Sequence, residues 1–214
     1  MNSYSQIKQD EWILTKLNHK KNGFFVDIGA FDGIELSNTY ILEDEYGWNG
    51  ICLECNPEIL PTLSKNRKVT ICDRPISNID NETYYLHSVS KEDPMLCYVS
   101  KSRGGLGSEL KKSITLNTLL EQHNAPKDID YISLDVEGIE LPIIQNFDFS
   151  KYNVKCWTIE HNLIPSNQQS LNNFFNIAFI LLKNNYLIKW HDWDIFAIKD
   201  DIEPDFIVNG ERVK

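Results

Sequence analysis

Apolar residues along the chain gather in short blocks separated by longer amphipathic stretches, a rhythm that predicts buried strands alternating with helices. Ile7, Trp12, Ile13, Leu14 and Leu17 share one broad face and predict a helix over residues 6–18. Gly23 interrupts that pattern ahead of Phe24-Phe25-Val26-Asp27-Ile28, a run apolar enough for a strand covered on both sides. Next come a helix over 37–46, a strand over 50–54, a helix from Pro57 to residue 65 and a third strand over 69–72. The region 79–107 is less regular, with short strands at 83–87 and 97–99 around a loop. A helix over 114–123 precedes two further core strands, 131–134 and 154–160. Ser166 with Gln169 three residues later has capping-box spacing and opens a long helix to residue 183. Strands at 186–190 and 195–199 close the chain around the turn Asp192-Trp193-Asp194.

Strands alternating with helices and ending in an antiparallel pair predict an α/β fold. The expected form is a Rossmann-like, doubly wound, mostly parallel seven-stranded sheet with an antiparallel C-terminal edge and helices on both faces. The 214 residues, 42% of them hydrophobic, can bury one sizeable core, and no linker or repeat divides them. The expectation is one domain over 1–214, which could also be one unit of a larger glycan-assembly protein.

Charge narrows the partners. Asp and Glu number 31 against 21 Lys and Arg, a net charge of -10, so a polyanion is repelled and no nucleic-acid partner is expected. Lys101, Arg103, Lys111 and Lys112 form the best local basic patch, which a solvated loop also explains. The most apolar stretch, 174–182, contains Asn176 and ends at Lys183, short of the ~18–20 residues a membrane span needs. Lys8, Asp10 and Glu11 precede any apolar run, unlike a secretory signal. The expected location is cytoplasmic. Cys52 and Cys55 have redox-motif spacing but lie at a strand end, where residues three apart face opposite ways, so they read as thiols in a reducing compartment.

In doubly wound sheets ligands bind beyond the carboxyl ends of the strands. The first strand ends in Asp27-Ile28-Gly29-Ala30-Phe31-Asp32-Gly33, where Phe31 stands at the second glycine position of a dinucleotide fingerprint and two acids bracket the turn. Carboxylates repel a pyrophosphate and suit a cation, and S-adenosylmethionine carries a sulfonium and an ammonium. Glu54, ending the second strand, is placed to hold a ribose diol. The alternative for Asp32 and Ser37 is to cap the helix that follows. The fourth strand ends in Leu134-Asp135-Val136-Glu137-Gly138-Ile139-Glu140 and the fifth in Ile159-Glu160-His161-Asn162. The Asp/Asn-Pro-Pro-aromatic motif of base-modifying amino-methyltransferases is absent after the fourth strand.

These pieces, with Ser5-Gln6, Gln9-Asp10, Ser37-Asn38-Thr39 and Asn56-Pro57, resemble the FkbM family of methyltransferases over residues 3–165. The resemblance implies an S-adenosylmethionine-dependent O-methyltransferase acting on hydroxyls of sugars, glycans or polyketides. It implies that Asp27, Gly29, Asp32 and Ser37 line the methionine and ribose side of the cofactor and that Glu54 grips the ribose. Asp73, Arg74 and Ile76 would lie near adenine, although Cys72-Asp73-Arg74-Pro75-Ile76 departs from the small-residue stretch expected there. Asp135 and Glu137 would approach the cofactor from the fourth strand.

Methyl transfer to a hydroxyl needs a group that removes or stabilises its proton. His161 is the candidate base, with Glu160 and Asp135 beside it; those two carboxylates would alternatively hold Mg²⁺ or Mn²⁺ against a vicinal diol. Trp190 and Trp193 could stack on the sugar. Gln6, Gln9 and Asp10 would form either a lid on the cofactor or a solvated helix face, and the loop from Ser100 to Gly107 could close on substrate. The competing readings are a nicotinamide-dependent sugar oxidoreductase or epimerase, and a ligand-binding domain without turnover.

Overall fold

A computed structural model describes residues 3–88, 97–103, 108–136, 138–202, 207–208 and 211–212. The main sheet is built from β1 (Phe24–Ile28), β2 (Asn49–Leu53), β3 (Thr70–Cys72), β7 (Asp128–Leu134), β8 (Asn153–Glu160), β9 (Tyr186–His191) and β10 (Asp194–Lys199). Its order is β3-β2-β1-β7-β8-β10-β9. The first five strands run parallel, and β10 and β9 are antiparallel to their neighbours. The sequence-predicted fold class is the one observed.

Helices α1 (Gln9–Lys16), α2 (Tyr40–Asp44) and α3 (Leu60–Asn66) cover one face, and α4 (Leu116–Gln122), α5 (Glu140–Asn146) and α6 (Gln168–Lys183) the other. Strand alternation assigns the two cores. Val26, Ile28, Ile132, Leu134, Trp157 and Ile159 point toward α4–α6, while Phe25, Tyr131 and Cys156 meet Ile13, Leu14, Ile41, Leu42 and Leu63 from α1–α3. The short strands β4 (Tyr85–Ser88), β5 (Cys97–Ser100) and β6 (Ser108–Glu109) form a separate three-stranded sheet.

Several elements differ from expectation for local reasons. The helix expected over 37–46 is confined to Tyr40–Asp44, because the Ser37 hydroxyl accepts from the Thr39 and Tyr40 amides and holds the entry as a turn. The long helix is capped by Asn167 rather than Ser166: the Asn167 side chain accepts from the Gln169 and Ser170 amides. Helix α5 was not foreseen. Its entry is built by Glu140, whose buried carboxylate reaches back to the Val136 and Gly138 amides at 3.1 and 3.0 Å. Cys52, Cys55, Cys72 and Cys156 are thiols outside any disulfide.

Candidate functional site

The strand order reverses between β1 and β7, and a cleft opens beyond their carboxyl ends. It encloses about 510 Å³, counting space open to solvent. Its floor is set by Gly29. This residue has φ 91°, and a Cβ added to it would sit 2.0 Å from the Asp135 carbonyl oxygen, so only glycine lets the β1 loop pass this close to β7. The Gly29 and Ala30 amides both donate to the Leu53 carbonyl, at 3.0 and 3.1 Å, fixing the loop to β2.

The loop 29–39 is held from below by Arg67, which the sequence marks only as a cation following a helix. Its side chain is fully buried. It meets Glu43 at 2.5 Å, donates to Thr39 Oγ1 at 2.9 Å and to the Gly33 carbonyl at 3.1 Å, and lies 3.9 Å from Asp27. Thr39 donates in turn to Asp27 at 2.5 Å. Burial pushes the Asp27 carboxyl above the usual carboxylate range, while Arg67 and Thr39 pull it down.

The described cleft lining includes the acids Asp27, Glu35 and Asp135, the polar residues Gln6, Gln9, Ser37, Asn38 and Ser133, and no Lys, Arg or His. Asn38 donates to Ser133 Oγ at 2.9 Å, but its own Oδ1 is buried without a hydrogen-bond partner. A buried acceptor left unsatisfied costs about 1–3 kcal/mol, so a ligand bringing a donor to this point gains from it.

Register places the acids in a row. Ser133 and Thr158 are paired on the α1 side of the sheet, and alternation puts Asp135 and Glu160 on that side one step further out. Asp194 is paired with Glu160 on the neighbouring strand. Gln9 from α1 reaches over this row and donates to Asp194 at 2.9 Å. Gln9 and Asp10 are buried, so the solvated-face expectation for them fails; Asp10 accepts from Ser3, Ser5 and the Tyr4 amide to fold the chain ahead of α1. Gln6 is exposed at the cleft.

The other sequence candidates occupy varied positions. Asp32 accepts from the Ile34 and Glu35 amides, a turn role. Glu54 accepts from the Phe31 and Asn56 amides at 3.1 and 2.7 Å, and burial pushes its carboxyl up against those bonds. Asp73 is paired with Lys111, and Arg74 is tied to the Lys112 and Ser113 carbonyls. Ile76 is buried and bridges to Ile114. Lys101 pairs with Glu82, so two lysines of the basic patch have carboxylate partners.

His161 lies on the other side of the sheet from the acid row. Its ring packs edge-on against Phe174 at 5.0 Å, and Nδ1 accepts from the Leu163 amide at 3.0 Å. With the Nδ1 lone pair so occupied, the neutral ring carries its proton on Nε2, a buried atom without a partner. Burial pushes the imidazole below the usual histidine value. Glu137 and residues 104–107 of the expected substrate loop lie outside the described residues. Among the described residues no three His, Cys, Asp or Glu side chains group as a metal site would require.

Residues 27–188 match the profile of the methyltransferase FkbM domain. The fold is similar to a precorrin-6y C5,15-methyltransferase from Geobacter metallireducens, at 12% identity over 91% of this chain and 92% of that one, with a TM-score of 0.48. It is similar also to a putative rRNA methylase from Clostridium thermocellum, at 8% identity, 92% and 97% coverage and a TM-score of 0.48. A SAM-dependent methyltransferase from Aquifex aeolicus gives 10% identity, 88% coverage of both chains and 0.41. No curated protein sequence matches the chain.

Proposed function

The chain belongs to the FkbM methyltransferase family, and from that premise we propose that it transfers the methyl group of S-adenosylmethionine to a hydroxyl of a sugar, in a glycan or a glycosylated small molecule. The observation that carries the cofactor reading is the described cleft lining: three carboxylates, one orphaned amide oxygen and no basic side chain. That set of acceptors suits a ligand with an ammonium and a sulfonium and opposes the pyrophosphate of a nicotinamide nucleotide. Asn38 Oδ1 and Asp135 would receive the ammonium. Glu54, held in place by the Phe31 and Asn56 amides, would turn its remaining acceptor capacity to the ribose diol.

When bound, the cofactor supplies a methyl group on a positively charged sulfur. The protein's part is to hold the acceptor oxygen in line with it and to receive a proton. Glu160, next to Asp135 in the acid row, accepts the hydrogen bond of the acceptor hydroxyl and takes its proton. Asn162 Nδ2 donates to Glu160 Oε2 at 2.7 Å and fixes the direction of that carboxylate. His161, turned toward α6, supports the loop that follows through Leu163 and does not reach the hydroxyl.

Calorimetry with S-adenosylhomocysteine, NAD⁺ and NADP⁺ tests the cofactor; binding of the first alone is expected, and binding of a nicotinamide nucleotide instead overturns the reading. Radiolabel transfer from S-adenosylmethionine to a panel of glycans, compared with amine acceptors, tests the hydroxyl. Label recovered on nitrogen would refute it.

A further inference from the structure

Among the described residues nine large hydrophobic side chains are exposed, and six of them lie between Ile164 and Trp193. On α6, Phe175, Phe179 and Leu182 are 63, 64 and 54% exposed at helical spacing, flanking the face that is buried through Phe174, Ile177, Ala178 and Leu181. Trp190 on β9 is 63% exposed. Phe174 joins the two elements, its ring 5.4 Å from Phe175 and 5.7 Å from Trp190. Helix and strand thus present one continuous apolar surface at the end of the sheet. Scattered exposed hydrophobics need no explanation, but a joined patch of this kind marks an interaction site.

We propose that this surface, the outer flank of α6 with the edge of β9, is the contact between two copies of the chain. Three observations select that occupant. Residues 161–191 contain no Asp or Glu, although the chain holds 31, so here two molecules of net charge -10 can meet without opposing carboxylates. Next, among the described residues β9 is the last strand of the main sheet and pairs along its inner side in six consecutive residue pairs without proline or bulge. Its outer side can add a strand, which another protein chain satisfies and a lipid surface does not. Finally, a helix stripe beside an edge strand is self-complementary about a two-fold axis: β9 pairs antiparallel with β9 of the other copy, and the two α6 stripes meet above.

The size is consistent with this. The four side chains offer on the order of 400 Å² per copy, about half of the ~800 Å² that a standard interface buries on each side. The strand edge and the Asn and Gln rim of α6 supply the remainder. In the sheet order β9 stands three strands from β7.

Sedimentation velocity at about 50 μM, alongside the thermal midpoint, decides the matter. The wild type is expected at twice 24.8 kDa, and the Phe175→Glu/Phe179→Glu variant at the monomer mass, still melting cooperatively but with a midpoint that no longer rises with protein concentration. Leu182→Lys provides the same reading should the double variant fail to fold. Slower amide exchange across β9 at higher protein concentration is the second expected result. A wild type that stays monomeric overturns the proposal, as does a monomer that floats with phosphatidylcholine–phosphatidylserine vesicles, which would assign the face to a membrane. A folded double variant that remains dimeric overturns it equally.

Discussion

The α-carbon of Gly29 faces the backbone carbonyl of Asp135 so closely that a methyl group between them would stand 2.0 Å from the oxygen. Because the neighbour is backbone on a central strand, it cannot rotate away, and φ 91° already excludes most side chains. Gly29→Ala is expected to cost about 3 kcal/mol or more in urea unfolding and to abolish binding of S-adenosylhomocysteine. A variant with wild-type stability and affinity would show that the loop is not fixed by this contact.

Arg67 should be just as intolerant, for an electrostatic reason. Removing it strands Asp27 and Glu43 around a buried hole, and breaking one partner out of such a network costs about 3–5 kcal/mol. Arg67→Met is therefore expected to unfold at much lower denaturant. Arg67→Lys should recover part of the loss, since it restores the charge without the planar fork that spans Glu43, Thr39 and Gly33. Equal midpoints for the Met variant and the wild type would refute the role.

The division of labour at the tip of β8 separates two adjacent residues. Glu160→Gln is expected to lower kcat by on the order of 100-fold or more with unchanged S-adenosylhomocysteine affinity, because it removes the proton acceptor and keeps the shape. His161→Asn should reduce stability and leave far more of kcat, since its ring serves Leu163 and Phe174. The reverse ordering of the two kcat values would return the base to His161.

Asp194 supplies a pH test. Burial raises its carboxyl above the usual range, against the bond from Gln9. The folded chain therefore holds that proton more tightly than the unfolded chain, and stability is lost as pH rises from the ordinary carboxylate value through the raised one. Asp194→Asn keeps an acceptor for Gln9 and does not titrate. Its stability relative to the wild type should improve across that window and stay level above it, as read from thermal midpoints at a series of pH values. A difference independent of pH would mean that the Asp194 carboxyl binds its proton equally well in the folded and unfolded chains, which would refute the shift.

Much of the fold was legible beforehand because strands buried on both faces must be apolar throughout. Phe24–Ile28, 131–134 and 154–160 announced themselves in that way, and the order of elements then implied a parallel sheet with an antiparallel edge. Helix α5 escaped because Glu137-Gly138-Ile139-Glu140 reads as strand-tip chemistry, whereas Glu140 is spent on the amides of its own loop. Local hydrogen bonding of that kind also decided Ser37 and Asn167, where several polar residues in succession could each have served as the cap.

What the sequence by itself determined, then, was the strand order's raw material and the identity of the tips: Asp27, Gly29, Glu54, Asp135 and Glu160 all end strands, and strand ends are where such a sheet binds ligands. Only the tertiary structure decided which of them face one another. Side chains alternate from one face of a strand to the other, so neighbours in sequence such as Glu160 and His161 part company, while Gln9 and Asp194, 185 residues apart, come within 2.9 Å. The buried Arg67 belongs to the same class: its five partners come from β1, α2 and the loop between them, and no spacing along the chain records their convergence.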